Sequence, residues 1–185
     1  MELTSERILP VDRDTAWAAL NDPDELKAAI PGCESIESTG ENAYAVLLTA
    51  AIGPVKAKFR GKLQVTDIVK PQSYTIHFEG QGGPAGFGKG SAQVELVDQG
   101  KETLLKYRAT AQVGGKIAQV GQRLVDAAAG KISDDFFATF SSRLAARAGI
   151  VSNGVQRPPE SASNAPIWIA IALNVLVVAF VLAMR

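Results

Sequence analysis

From residue 55 to residue 65 apolar and charged side chains alternate without a break. Val55, Ala57, Phe59, Gly61, Leu63 and Val65 fall in one set, and Lys56, Lys58, Arg60, Lys62 and Gln64 in the other. Successive side chains of a strand point to opposite faces, so a half-buried antiparallel strand buries the first set and solvates the second. A helix would scatter both sets around its axis. The same period returns at Tyr74, Ile76 and Phe78, opposed by Thr75, His77 and Glu79. It returns again at Ala92, Val94 and Leu96, and at Leu105, Tyr107, Ala109, Ala111 and Val113. Such a chain must build a sheet with one wet face, and another element must cover the dry one.

The cover is expected after Gly114-Gly115, where the period changes. From residue 116 to about residue 148, Ile117, Val120, Leu124, Ala128, Ile132, Phe136, Phe140 and Leu144 read as one apolar stripe of a long helix. Gln119, Gln122, Arg123, Asp126, Ser133 and Asp134 lie off that stripe. Upstream, residues 2–9 read as a strand stopped by Pro10. Asp12 caps a helix over residues 14–21, and Asp22-Pro23 opens a second that ends before Pro31-Gly32. Residues 33–38 and 43–51 form a strand pair around a turn at 39–42. Residues 98–101 form another turn, and residues 80–90 read as a glycine-rich stretch. The order of one strand, two short helices, six strands and a long helix gives an α+β domain over residues 1–148, its curved antiparallel sheet gripping the helix.

Composition removes many activities. The 19 basic and 19 acidic residues cancel, so nothing draws the whole chain to nucleic acid. Cys33 stands alone, which forbids an internal disulfide and any cysteine cluster for zinc. His77 is the one histidine, and the alternation turns it outward beside Glu79. No catalytic residue and no metal site is therefore expected. Gly83-Pro-Ala-Gly-Phe-Gly-Lys89 matches the start of a phosphate loop, but Gly90 replaces the Ser or Thr that holds magnesium. A strand follows where a helix N-terminus is needed, so this reads as a flexible turn or lid.

Two features point to binding. Ala50, Ala57, Gly61, Ala109 and Ala111 are small on the inward side of the sheet, as is Ala128 on the facing helix. Interiors are close-packed, so small residues on both walls either touch or leave space. The expectation is a cavity lined by Phe59, Phe78, Phe87, Tyr107, Ala109, Ala111, Val120, Leu124 and Phe136, suited to an apolar ligand. A solid core would show the same residues, and both readings stand. The outward Lys56, Lys58, Arg60 and Lys62, with Lys106 and Arg108 on another strand, read either as a solvated sheet surface or as a docking surface for an acidic partner or lipid headgroups.

The C-terminal segment has a different character. Residues 167–184 carry no charge, Gly or Pro and would span about 27 Å as a helix, close to the bilayer's hydrocarbon core. Trp168 stands at one interface and Arg185 at the other, with Ile167, Leu173, Leu176, Phe180 and Leu182 toward lipid. Residues 149–166, rich in Pro and Ser, read as a flexible linker. Without an N-terminal signal, the expectation is a single-pass C-terminal anchor over 167–185 in the cytoplasmic membrane, the domain lying in the cytoplasm.

Four segments also carry a family likeness: Ile30-Pro-Gly-Cys-Glu-Ser-Ile-Glu37, Gly53-Pro-Val-Lys-Ala-Lys-Phe-Arg-Gly61, the run 80–90, and Val113-Gly-Gly-Lys-Ile-Ala-Gln-Val-Gly-Gln-Arg-Leu124. Over residues 1–148 the chain resembles the carbon monoxide dehydrogenase G-subunit family of the START-like (SRPBCC) helix-grip superfamily. The resemblance implies a helix-grip fold, an apolar cavity, and a role beside a molybdenum hydroxylase in carbon monoxide oxidation rather than as its catalyst. It implies recruitment of the dehydrogenase to the membrane and a link through electron transfer to respiratory quinone such as menaquinone. It supplies no catalytic residues and no covalent cofactor. The leading expectation is a membrane-anchored accessory protein that recruits the dehydrogenase and carries or presents quinone. A pure anchor or maturation factor without ligand, and a START-like carrier of another lipid, are the alternatives. A START-like enzyme would have only His77 as a base.

Overall fold

The computed structural model describes residues 2–52, 55–116 and 118–149. Strand β1 (Glu2–Leu9) leads into helices α1 (Arg13–Leu20) and α2 (Pro23–Ala29). Six strands follow: β2 (Cys33–Gly40), β3 (Ala43–Ile52), β4 (Val55–Val69), β5 (Ser73–Gln81), β6 (Phe87–Asp98) and β7 (Thr103–Gly114). Helix α3 (Gln122–Arg147) closes the domain. The strands form one seven-stranded sheet in the order β1-β7-β6-β5-β4-β3-β2, every neighbouring pair antiparallel. From β2 to β7 it is a meander, and β1 joins the far side of β7.

Local chemistry sets the element ends. The Asp12 carboxylate accepts from the Thr15 backbone N–H at 3.0 Å, and Asp22 accepts from Asp24 N–H at 2.9 Å with Pro23 in the first turn. The β2–β3 turn is shorter than expected: residues 39 and 40 stay in β2, and Asn42 takes a φ of 54°, a left-handed conformation that asparagine tolerates. The glycine-rich stretch is mostly sheet. Residues 80–81 belong to β5 and residues 87–90 to β6, so only 82–86 connect them. Gly83 (φ 59°) and Gly86 (φ 121°) make that turn possible. Gly90 serves a different need, because a Cβ there would run into the Thr110 carbonyl oxygen and the Phe78 ring.

Helix α3 begins six residues later than expected, after Gly121 (φ 95°). Its buried face carries Ala129, Ser133, Phe136, Phe137, Phe140 and Leu144. The expected stripe fails at its N-terminal end, where Leu124 is 52% exposed. A strict spacing of four drifts by about 40° per step, so Leu124 sits about 120° around the axis from Phe136. Ser133, expected off the stripe, is fully buried. Ile117 and the side chain of Val120 lie outside the described residues.

The core sits between the inner sheet face and α1–α3. Phe136 stacks on Phe140 at 5.2 Å, and Trp17 meets Tyr74 edge-on at 5.3 Å. An ionic clamp joins α2 to the C-terminal part of α3. Arg143 Nε donates to Glu25 Oε2 at 2.7 Å, and Arg147 donates to Glu25 Oε1 at 3.0 Å. The Glu25 side chain is only 8% exposed. Among the described residues no helix is long and apolar enough to cross a membrane. The expected linker from residue 150 and the expected span with Ile167, Trp168, Leu173, Leu176, Phe180 and Leu182 lie outside them.

Candidate functional site: an inner wall and a basic groove

The register of the sheet grades its inner face from small to large. Gly61, Gly80 and Gly88 stand side by side across β4, β5 and β6. The next inward row reads Leu63, Phe78, Gly90 and Ala111, and the one after it Val65, Ile76, Ala92 and Ala109. Then come Tyr74, Val94 and Tyr107, and finally Leu96 and Leu105, both fully buried. On β5 to β7 large residues therefore fill one end of the interior, and glycine and alanine line the other, where α3 begins. On β3 and β4 that same end is filled by Leu48 and Phe59, both fully buried.

Of the expected cavity lining, Phe59, Phe78, Tyr107, Ala109, Ala111 and Phe136 are inward and buried. Two others are corrected. Phe87 is 46% exposed, because Gly88, Gly90 and Ala92 take the inward positions of β6 and parity turns Phe87 out. Leu124 is excluded by the drift of the helix stripe. A small apolar pocket of about 40 Å³ lies beneath α2, between Leu20, Leu26, Ile36, Tyr44, Val65 and Ile76. That is room for about one water molecule, not a ring.

Where the large and small ends meet, the wall carries a polar group that the sequence did not announce. Tyr107 from β7, Ser133 from α3 and Arg7 from β1 converge there. Tyr107 is 3% exposed and Ser133 is 0% exposed. Tyr107 Oη, Ser133 Oγ and Arg7 Nε are buried without a hydrogen-bond partner. Ser133 lies close enough to influence the phenol, yet the two hydroxyls do not close a bond. Burial raises the Tyr107 phenol far above its ordinary range, so it stays a neutral O–H donor. Arg7 is held by Asp134, its Nη2 donating to Oδ1 at 2.8 Å, and lies 5.6 Å from the centre of the Phe137 ring. Burial lowers the Arg7 pKa, and the Asp134 carboxylate opposes that shift.

The outer face carries the expected cations. Lys56, Lys58, Arg60 and Lys62 are all exposed. Lys58 donates to Glu34 at 2.7 Å, and that bond, with one from Thr49, holds the Glu34 carboxyl below the usual carboxylate range. An open groove of about 1050 Å³ crosses this face from β3 to β7. One cross-strand row in it reads Lys62, Glu79, Lys89 and Gln112, and the next reads Gln64, His77, Ser91 and Thr110. Among the described residues Lys62 and Lys89 make no ion pair. A second groove at the other end of this face mixes Glu6, Asp67, Glu95 and Asp98 with Arg13, Lys106 and Arg108. Lys89 was not foreseen as a docking residue, although extending the β6 alternation back through the glycines places it outward.

The remaining motifs resolve simply. Gly83 to Lys89 is split between a single 3-10 turn and β6, so no helix N-terminus faces it. His77 points outward, its Nε2 3.1 Å from Thr66 Oγ1. Cys33 is half-buried, and burial pushes its thiol up to about 11. Among the described residues no three His, Cys, Asp or Glu side chains are grouped so that they could hold a metal ion.

A curved antiparallel sheet holding a C-terminal helix is the START-like, helix-grip architecture, and solved structures share it. A START superfamily protein from Mycobacterium smegmatis superposes with a TM-score of 0.61 at 12% identity, over 79% of this chain and 98% of its own. The Zhui aromatase/cyclase from Streptomyces sp. R1128 reaches 0.58 at 14%, over 84% and 99%. At those identities the likeness shows the fold alone. A conserved protein from Geobacillus kaustophilus is nearer, with a TM-score of 0.74 at 33% identity over 79% of this chain and 96% of its own. Residues 6–145 match the carbon monoxide dehydrogenase G-subunit family (CoxG), and the chain belongs to that family. No curated protein matches it.

Proposed function

We infer that this chain is a non-catalytic accessory protein of a molybdenum-containing carbon monoxide dehydrogenase. In this reading residues 167–185 anchor it in the cytoplasmic membrane, and the interior between the sheet and α3 carries respiratory quinone. The observation that carries the ligand half is the inner wall, where Gly61, Gly80, Gly88, Gly90, Ala92, Ala109 and Ala111 stand in adjacent inward rows of β4 to β7 and leave little side chain there. The family description supports the dehydrogenase as partner. The groove around Lys62 and Lys89, with Lys56, Lys58 and Arg60 beside it, supports docking to an acidic protein surface. The apolar C-terminal sequence supports the anchor.

The test is to purify the full chain from its own membrane in mild detergent and extract its small molecules for mass spectrometry. Quinone at near-stoichiometric amount is the expected result. Bulk membrane lipid with no enrichment of quinone would refute the carrier and leave an anchor without cargo.

A further inference from the structure

We propose that Tyr107, Ser133 and Arg7 form a polar subsite that binds a carbonyl oxygen of the ligand held between the sheet and α3. This rests on the interior-ligand reading above, and it adds which end of the ligand is recognised and by which atoms. Each residue comes from a different element packed on the same space: β7, α3 and β1. Tyr107 and Ser133 are buried beyond nine-tenths, yet their hydroxyls and Arg7 Nε lack partners. Buried polar atoms are almost always hydrogen-bonded, so three orphans at one place mark a missing partner.

The chemistry of that partner follows from what is present. Two O–H groups and one N–H supply donors, and a carbonyl oxygen with two lone pairs can accept from more than one of them. The Arg7 guanidinium is positioned beside the subsite by Asp134, which accepts from Nη2 at 2.8 Å, and by the Phe137 ring 5.6 Å away. Since Asp134 already balances the Arg7 charge at 2.8 Å, no spare positive charge remains to hold an anionic head. A neutral acceptor fits better. The small wall made by Ala92, Ala109 and Ala129 lies to one side of the subsite, and bulky Tyr74, Leu96 and Leu105 lie to the other. The apolar body of the ligand therefore extends over the alanines toward the glycine row. A flat quinone, with a carbonyl on its ring and a greasy remainder, meets both demands.

The experiment uses the full chain in detergent micelles and two probes of one shape. The first is 2-methyl-1,4-naphthoquinone, and the second is 2-methylnaphthalene, which lacks the carbonyls. Binding is measured by equilibrium dialysis for wild type, Tyr107→Phe and Ser133→Ala, with circular dichroism to check the fold. Each substitution removes one donor and no bulk, so each is expected to weaken the quinone about 5- to 10-fold and leave 2-methylnaphthalene unchanged. If both variants bind the quinone as wild type does, the hydroxyls serve an internal water alone and the subsite is refuted while the carrier stands. Equal losses for both probes would also refute it, since the effect would then be one of cavity shape. If wild type binds neither probe, the interior-ligand reading falls and takes the subsite with it.

Discussion

The Glu25 clamp makes an asymmetric prediction. Glu25 is 8% exposed on its side chain, whereas Arg143 and Arg147 are 40% and 58% exposed. Cutting the clamp from either side removes the same contacts but strands different charges. Arg143→Ala leaves a buried carboxylate with one remaining partner, Arg147 at 3.0 Å. Arg143 reaches solvent, so screening keeps the loss of this one bond well below the loss of both partners. Removing both arginines leaves the carboxylate buried and unpaired, at a cost of about 3–5 kcal/mol. Glu25→Gln, by contrast, releases two arginines that already reach water and keeps an oxygen that accepts a bond. Its cost should stay near 1 kcal/mol. Urea unfolding followed by circular dichroism, with the slope checked for constancy, gives the three values directly. If Glu25→Gln proved as damaging as the double arginine variant, burial of the carboxylate would not be the cause, and the reasoning would fail.

Two further outcomes test the proposed function. Replacing Lys56, Lys62 and Lys89 by Glu should leave the fold intact, since all three are exposed, and slow association with the dehydrogenase about tenfold or more at low salt; an unchanged on-rate in surface plasmon resonance would return them to a solvated surface. Ending the chain at residue 166 should release the domain from membranes into the soluble fraction, and a truncated protein that still sedimented with vesicles at 1 M salt would show that the tail is not the anchor.

Periodicity of two is a local property, which is why the strands were legible. Parity at Phe59, Tyr107 and Ala109 predicted inward side chains, and they are inward. The helix caps at Asp12 and Asp22 were legible for the same reason, since a cap is made within three or four residues. The misses share a cause. The row from Val120 to Leu144 looked like one stripe because four is close to 3.6, and the difference accumulates until Leu124 faces water. Phe87 looked like a core aromatic because glycines hid the alternation around it, although Gly88 and Gly90 occupy the inward positions. The clamp joins residues 118 apart, and the orphan polar group draws on residues 7, 107 and 133. No local pattern encodes such meetings, which exist only once the sheet brings β1 beside β7 and lays α3 across them.

Helix α3 is also a ruler. Its 26 residues carry the chain about 39 Å, from the glycine-lined end of the sheet to a terminus beside Asp22 and the turn at Gly100. Whatever follows Gly149 is thus attached at the pole of the domain remote from the glycine row. Residues 150–166 could stretch to about 58 Å, more than the length of the helix. If residues 167–185 anchor the chain as proposed, a domain tethered through this segment could turn either pole toward the bilayer. Deleting eight of those residues would shorten the leash to about 31 Å, less than the ruler, and fix one orientation. Under the proposed carrier reading, exchange of cargo with the lipid at the glycine pole would then stop while the protein stayed attached, so linker length would control loading.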